Sequence, residues 1–327
     1  MREYNKIDLK NLAIGSRGVG TVLLKNCQKM TSKKGTEYFK GELANRIIAQ
    51  MIVWKSSAAF TLIENNMQQL IGNVVLVSYE VIDFAGSPAL SISAIEPMEG
   101  LDVEDYVVTR YNIKALSNQF LAEVKKQLSE KGFNLYCSIM EMDREDDENL
   151  WKAFTQEYAA MKHHDNCSGG LLAHTYKCLI ITELVLLNYD WVGKKNIEDE
   201  IKSEDEKDLL ILSVILHDIG KTQEMLNGVY QPGSEVTHRE LGIEILFPYK
   251  KKIIECYGDR GWNYIRAVIL GHHDEYGDKA KTVPAYLVHM IDNFEASITG
   301  MGQTIEENLQ ENSVGKNIWF NNGYLYL

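Results

Sequence analysis

All eight histidines of the chain fall between His163 and His289. Their spacing puts several of them, with two aspartates, on apolar helix faces. Leu171, His174, Cys178 and Ile181 recur at helical intervals, which turns His174 inward. The run LLILSVILHDIGK, from Leu209 to Lys221, is interrupted only by Ser213 before it reaches His217 and Asp218. Asp218 stacks under Val214 and Leu210 at four-residue steps, and Gly220 is a natural helix stop. Thr237 and Glu240 form a Thr-x-x-Glu capping box, so His238 takes the first helical position. There the helix dipole favours a neutral imidazole, the form that binds metal. His272 and His273 follow Val268 and Ile269, and Asp292 shares a face with Val288, Ile291 and His289. Any one of these groups could be a core residue with one hydrogen bond. Together, on faces with little cationic side chain, they need a common partner, because a buried polar group without one is costly. A divalent cation meets that need. Imidazole nitrogens and carboxylate oxygens suit Mn, Fe, Co, Ni or Zn. Seven protein ligands exceed one tetrahedral site and suit two octahedral ions that share a bridging carboxylate.

The elements that must position these groups are helical. From residue 101 onward the pattern is almost all helix, with an amphipathic stretch, IKALSNQFLAEVKKQLSEKG, ending near Gly132. Residues 1–100 differ. VGTVLLK, TEYFKGEL and RIIAQMIVW read as strands, AFTLIENNMQQLI as a helix, and NVVLVSYEVI and ALSISAI as two further strands. Three strands, a helix and two strands is the order of an OB-fold, a small barrel often used for single-stranded nucleic acid. In it Lys29, Lys33, Lys34 and Lys40 sit beside Tyr38, Phe39 and Trp54. Such a set can follow a phosphate backbone and stack bases, or can be a solvated hairpin over core aromatics. The fold class expected is therefore a small N-terminal OB-fold-like β-barrel (1–100), a helical connector (101–150) and an all-α bundle (151–327).

Composition narrows the function classes. The net charge of −12 opposes binding of nucleic acid by bulk charge. Residues 1–100 hold 11 Lys+Arg against 9 Asp+Glu, a balance of +2, and the remainder holds 23 against 37, a balance of −14. This modest asymmetry still allows a polyanion to bind the first hundred residues. Five scattered cysteines without a CxxC pair oppose a disulfide framework or a Cys-rich zinc site and fit a reducing cytoplasm. The opening MREYNKIDLK has no apolar core of a secretory leader. No apolar run reaches the ~20 residues of a membrane span.

The pattern H…HD…H…HH…D, as His174, His217-Asp218, His238, His272-His273 and Asp292, resembles the HD-domain metal-dependent phosphohydrolases, with HDIGK as its most specific local signature. MKHHDNCSGGLLAHT, the OB-like front and the ending NIWFNNGYLY make the whole chain similar to the YhaM-type 3′-to-5′ exoribonucleases. This resemblance implies two divalent ions, manganese foremost and Fe, Co, Ni or Zn as alternatives. The first would lie on His174, His217, Asp218 and Asp292. The second would lie on His238, His272 and His273 with Asp218 bridging, the division between His272 and His273 being open. Asp218, Lys221 and His164 would serve the chemistry, Lys221 by reaching a phosphate oxygen. His163, with Lys33, Lys34, Tyr38 and Trp54, would contact substrate, and His289 would at most support Asp292. The implied activity removes 5′-mononucleotides from the 3′ end of single-stranded RNA, or of DNA. The alternative is a nucleotidase or cyclic-nucleotide phosphodiesterase acting on a small nucleotide. Self-assembly into a homo-oligomer is also implied, without a subunit number.

Overall fold

The computed structural model describes residues 4–144, 149–161, 164–188, 203–231, 235–273, 278–308, 317–320 and 323–326. The chain divides into two compact units, Met1–Arg110 with Leu226–Pro232, and Tyr111–Met225 with Gly233–Leu327.

In the first unit, strands β1 (Arg17–Thr31), β2 (Glu37–Ala44), β3 (Ile48–Trp54), β4 (Val74–Phe84) and β5 (Ser87–Pro97) close a barrel in the order β1-β2-β3-β5-β4. Strand β1 pairs antiparallel with both β2 and β4, and β3 runs parallel to β5. Helix α1 (Ala58–Leu70) connects β3 to β4. This is the OB-fold arrangement that the element order predicts. Alternation along the strands sends Val22, Leu24, Phe39, Leu43, Met51 and Val53 into one core. Helix α1 adds Phe60, Ile63 and Leu70 to that core, with the Phe60 ring 4.8 Å from Phe39. The β4–β5 hairpin turns at Ala85 and Gly86, with φ of 58° and 86°. Positive φ at both central residues is the primed turn whose twist matches flanking strands.

The second unit is helical. Its elements are α2 (Ile113–Gln127), α3 (Glu130–Ile139), α4 (Leu150–Gln156), α5 (Gly170–Asn188), α6 (Glu204–Leu216), α7 (Lys221–Glu224), α8 (His238–Leu246), α9 (Lys250–Gly271) and α10 (Val283–Asn308). A terminal hairpin pairs Asn317–Phe320 with Gly323–Tyr326. Ser203 caps α6 by accepting from Glu206 N, and the helix then buries every side chain from Leu209 to Leu216. A helix apolar on all sides belongs in a core, and α6 packs on both α5 and α9. Within residues 101–150, expected as a connector, lie α2, α3 and the first residue of α4, and Phe120, Val124, Leu135 and Tyr136 join the same core as α6.

Gly220 differs from its expected role as a left-handed helix stop. Its φ is −64° and a further short helix, α7, starts at the next residue. A Cβ at this position would overlap the His238 carbonyl oxygen and lie 2.6 Å from Gly242 N. Close approach of α8, not backbone handedness, therefore requires glycine. Gly220→Ala should push the start of α8 away and cost about 1–3 kcal/mol of stability, the usual range for overpacking. A thermal melt of the purified variant measures this. An unchanged melting temperature would mean that α8 gives way freely.

Candidate metal centre

Five elements bring their polar groups to one place. His174 sits on α5, His217 and Asp218 directly follow α6, and His238 opens α8. His272 and His273 directly follow α9, and Asp292 is on α10. His174, His217, Asp218, His272 and Asp292 are all buried. Among the described residues three sets of candidate ligand atoms form, the atoms of each within 4.8 Å of one another: His164–His174–Glu295, and two that share a member, His174–His217–Asp218–Asp292 and Asp218–His238–His272–His273. Asp218 belongs to both of the latter. Its Oδ2 is 3.3 Å from His217 Nε2 and 3.6 Å from His174 Nε2, and its Oδ1 is 3.5 Å from the Nε2 of both His238 and His272. Asp292 Oδ1 lies 3.2 Å from His174 Nε2, and Oδ2 lies 3.9 Å from His273 Nδ1.

The tautomers follow from what the other ring nitrogen does. His217 Nδ1 donates to Val214 O at 2.7 Å, and His272 Nδ1 donates to Ile269 O at 2.7 Å. Both carbonyls belong to the last turn of a helix, where carbonyls lack intrahelical partners. His238 Nδ1 donates to Glu224 Oε2 at 3.1 Å, while the His238 backbone N–H donates to Glu224 Oε1 at 3.0 Å. The Thr237–Glu240 capping box forms as the sequence predicts. His174 Nδ1 bonds Glu295. With Nδ1 occupied in all four rings, each Nε2 is turned inward, the arrangement by which second partners orient imidazole ligands. His174 Nε2 and His217 Nε2 face each other at 3.4 Å. Asp218 Oδ1, His238 Nε2 and His272 Nε2 are buried without a hydrogen-bond partner. Three acceptors turned toward one another with nothing between them are unfavourable, and a shared cation relieves them. The residues present therefore fit two divalent ions.

Electrostatics agrees. Burial would push the Asp218 carboxyl up, but Lys221 and the His217 and His272 rings outweigh it and hold the group well below the ordinary carboxylate range. Burial likewise opposes ionisation of Asp292, and His174 and His217 overcome it. Burial lowers His272, and lowers His273 to about 3, so both rings are neutral near pH 7. His174 goes the other way. Burial lowers it, yet the Cys178 thiol, Asp292 and Glu295 raise it well above the ordinary value. A cation arriving at its Nε2 has to displace that proton, so loading releases acid.

Lys221 Nζ donates to Asp218 Oδ2 at 2.6 Å rather than projecting toward solvent. The expectation of little cationic side chain near Asp218 is thus corrected: this lysine neutralises part of its charge at Oδ2, and Oδ1 keeps facing His238 and His272 without a hydrogen bond. His289 stays within what was expected of it. It donates from Nδ1 to the His272 carbonyl at 2.7 Å and so braces the α9 end, not Asp292. His164 lies with its ring 5.1 Å from that of His174 and its Nε2 buried, and burial lowers it to about 3. His163 falls outside the described residues.

Two supporting carboxylates escaped the sequence reading. Glu224 and Glu295 each lie three residues beyond a candidate site residue, Lys221 and Asp292, and that inward-facing interval was the available signal. Glu295 also accepts from Lys177 at 2.5 Å, and Lys177 reaches Asp165 at 2.7 Å. Asp165 and Lys177 thus brace Glu295, which in turn holds His174. Glu295→Gln should keep the fold but weaken metal affinity about 10–100-fold, as other changes behind an imidazole ligand do. Metal titration by calorimetry checks this. Unchanged affinity would show that His174 needs no brace.

On the barrel, Lys33 and Lys34 are exposed in the β1–β2 turn. Tyr38 and Trp54 are cross-strand partners with rings 5.5 Å apart. Phe84, which the sequence reading did not include, stands 6.3 Å from Tyr38 and 6.5 Å from Trp54. Phe39 faces the core, 1% exposed. Lys29 is engaged by Glu37 at 3.0 Å and Glu64 at 2.7 Å.

Residues 171–297 match the family model described as HD domain. The 3′-5′ exoribonuclease YhaM of Shouchella clausii is 30% identical over 245 residues, 71% of this chain and 70% of that protein. The protein of the same description from Oceanobacillus iheyensis is 25% identical over 317 residues, 90% of this chain and 88% of that one. Among solved structures, the second OB-fold domain of replication protein A from Methanococcus maripaludis covers 30% of this chain and 98% of its own, at 14% identity and a TM-score of 0.20. The strand order, not that score, identifies the barrel.

Proposed function

Because the chain belongs to the family of the 3′-5′ exoribonuclease YhaM, hydrolases built on the HD domain, we propose that it shortens single-stranded RNA from the 3′ end in a metal-dependent reaction and releases 5′-mononucleotides. The observation that carries this reading is Asp218, whose two oxygens face two separate histidine sets. His174, His217, Asp218 and Asp292 would hold one divalent ion, and Asp218, His238, His272 and His273 the other. Two ions so held would supply an activated water and neutralise charge on the scissile phosphate. Manganese is the metal we favour for this nitrogen and oxygen donor set.

The protein's own groups do the rest. Asp218 stays ionised through Lys221, and Asp292 through the rings beside it. The neutral His164 can accept a proton or offer one N–H, but it brings no fixed charge to a phosphate. His163 would contact the substrate beside it. On the barrel, Tyr38 and Trp54 offer π-faces for bases, and Lys33 and Lys34 sit where they can meet phosphates. Among the described residues no helix is long and apolar enough to cross a membrane. The five cysteines are scattered and include no CxxC pair, and we place the protein in the cytoplasm on that ground.

The test is a time course with 5′-labelled single-stranded RNA and a series of divalent metals. A ladder of shortened products with Mn²⁺, absent from the His217→Ala/Asp218→Ala double variant, is expected. Intact substrate throughout, or a ladder that persists in the double variant, rejects the reading. Substituting DNA in the same assay decides whether the 2′-hydroxyl matters.

A further inference from the structure

The outer face of α10 has no role in the metal centre. Val283, Tyr286, Met290, Phe294 and Ile298 are 43%, 56%, 48%, 56% and 53% exposed. The opposite face, with Val288, Ile291, Asp292 and Glu295, is buried. From residue 283 to 305 no exposed residue carries a charge. A solvated helix ordinarily shows charged and polar side chains outward, and a continuous apolar patch marks a surface that is covered in use. Half-buried Met301 and Ile305 continue the stripe beyond Ile298. It runs nearly straight along the helix, because its mean step of about 3.7 residues is close to the helical repeat.

We propose that this face packs against the same face of a second copy of the chain, α10 against α10, antiparallel about a two-fold axis at Phe294. Positions equally far on either side of the axis then meet. Met290 faces the partner's Ile298, and Val283 faces the partner's Ile305. Tyr286 faces the partner's Gly302, which is exposed and would admit a Cβ without any atom within 4 Å. The largest side chain of the stripe thus falls on its one glycine. A groove of about 740 Å³ opens beside the first turns of α10, lined by Val185 of α5 with Val283, Leu287 and Met290. The partner's Met301 and Ile305 come to this groove in the same arrangement. Charge selects the direction. Lys279 and Lys281 are exposed before the helix and Glu306 is exposed near its end. Antiparallel pairing sets each lysine end against the partner's glutamate end, whereas parallel pairing sets like against like. A surface that is self-complementary about its own midpoint is what an isologous two-fold contact needs.

The test uses the full chain at micromolar concentration in sedimentation equilibrium. The expected mass is that of a dimer, or of an assembly built from dimers. Phe294→Glu should lower that mass at least twofold, with the melt of the variant recorded to confirm folding. Lys281→Glu and Glu306→Lys should each weaken self-association, and the double variant should restore it. As a second reading, Phe294→Cys should give an interchain disulfide under mild oxidant that the wild-type chain does not. A monomeric wild type overturns the proposal. So does a dimer whose mass is unchanged by Phe294→Glu and which forms no disulfide at position 294, since another face, or a segment of the same chain on α10, would then be responsible.

Discussion

Asp218→Asn is expected to reduce bound metal to at most one ion per chain and turnover by about 10³-fold. That is about 4 kcal/mol at 1.36 kcal/mol per tenfold, in line with the several kcal/mol ascribed to metal charge stabilisation. The amide keeps the shape of the side chain and removes its charge. It also leaves Lys221 Nζ, a largely buried cation whose bond to Asp218 is 2.6 Å, facing a neutral group, so stability should fall as well. The sign with pH follows. Asp218 and Asp292 are depressed in the folded chain from the ordinary value of 3.8. Their contribution to folding is therefore complete above that value and is lost only as pH falls below it toward their folded values. In the Asn variant the acid limb contributed by position 218 should vanish. Elemental analysis after purification without chelator, with single-turnover kinetics on labelled RNA, measures the two main effects. Two ions retained with turnover within tenfold of wild type would end the bridging assignment.

The second large effect concerns the barrel. Replacing Tyr38 and Trp54 together with Ala should weaken binding of single-stranded RNA by roughly 30- to 25,000-fold, since each base stacked on an aromatic is worth about 1–3 kcal/mol and each tenfold is about 1.36 kcal/mol. The loss should appear in Kd and KM for oligonucleotides. It should spare turnover of a dinucleotide or a chromogenic phosphodiester, which needs no long binding surface. Phe84→Ala alone should show a smaller loss in the same direction, because its ring borders both others. If the double variant binds RNA as wild type does, the three rings only stiffen the hairpin ends. A loss equal for long and short substrates would instead point to a damaged chain.

Much of this was legible in the residues. Strand alternation and a single amphipathic helix announced the barrel, because a two-residue period with a turn at Ser32–Gly35 leaves few other folds. The convergence of these side chains was legible because a histidine or aspartate at the core end of a helix is expensive, and expense repeated on several helices asks for a common partner. Other features came only with the structure. Gly220 suggested a helix stop, while its true constraint is a helix that follows it in sequence and crosses close by in space. Lys221 and His289 have partners set by which way each helix end unwinds, and no local pattern carries that. Glu224 and Glu295 sat at visible intervals, yet acidic residues at helix positions are common enough to pass for solvated ones. Tyr38 and Trp54 were paired by register, but Phe84 joins them from another strand, across a barrel closure that pairs β3 with β5.

The four inward-facing imidazoles are held in their tautomers by two kinds of anchor. For His217 and His272 it is a main-chain oxygen three residues earlier, Val214 O and Ile269 O. For His174 and His238 it is a single carboxylate, Glu295 and Glu224. Substitution cannot remove a carbonyl, so the first pair survives any drift in sequence that leaves the helices intact. The second pair can each be unlocked by one codon. Genetic fragility of the centre is thus lopsided, and loss-of-function variants away from the ligands themselves should gather behind α5 and α8 rather than behind α6 and α9.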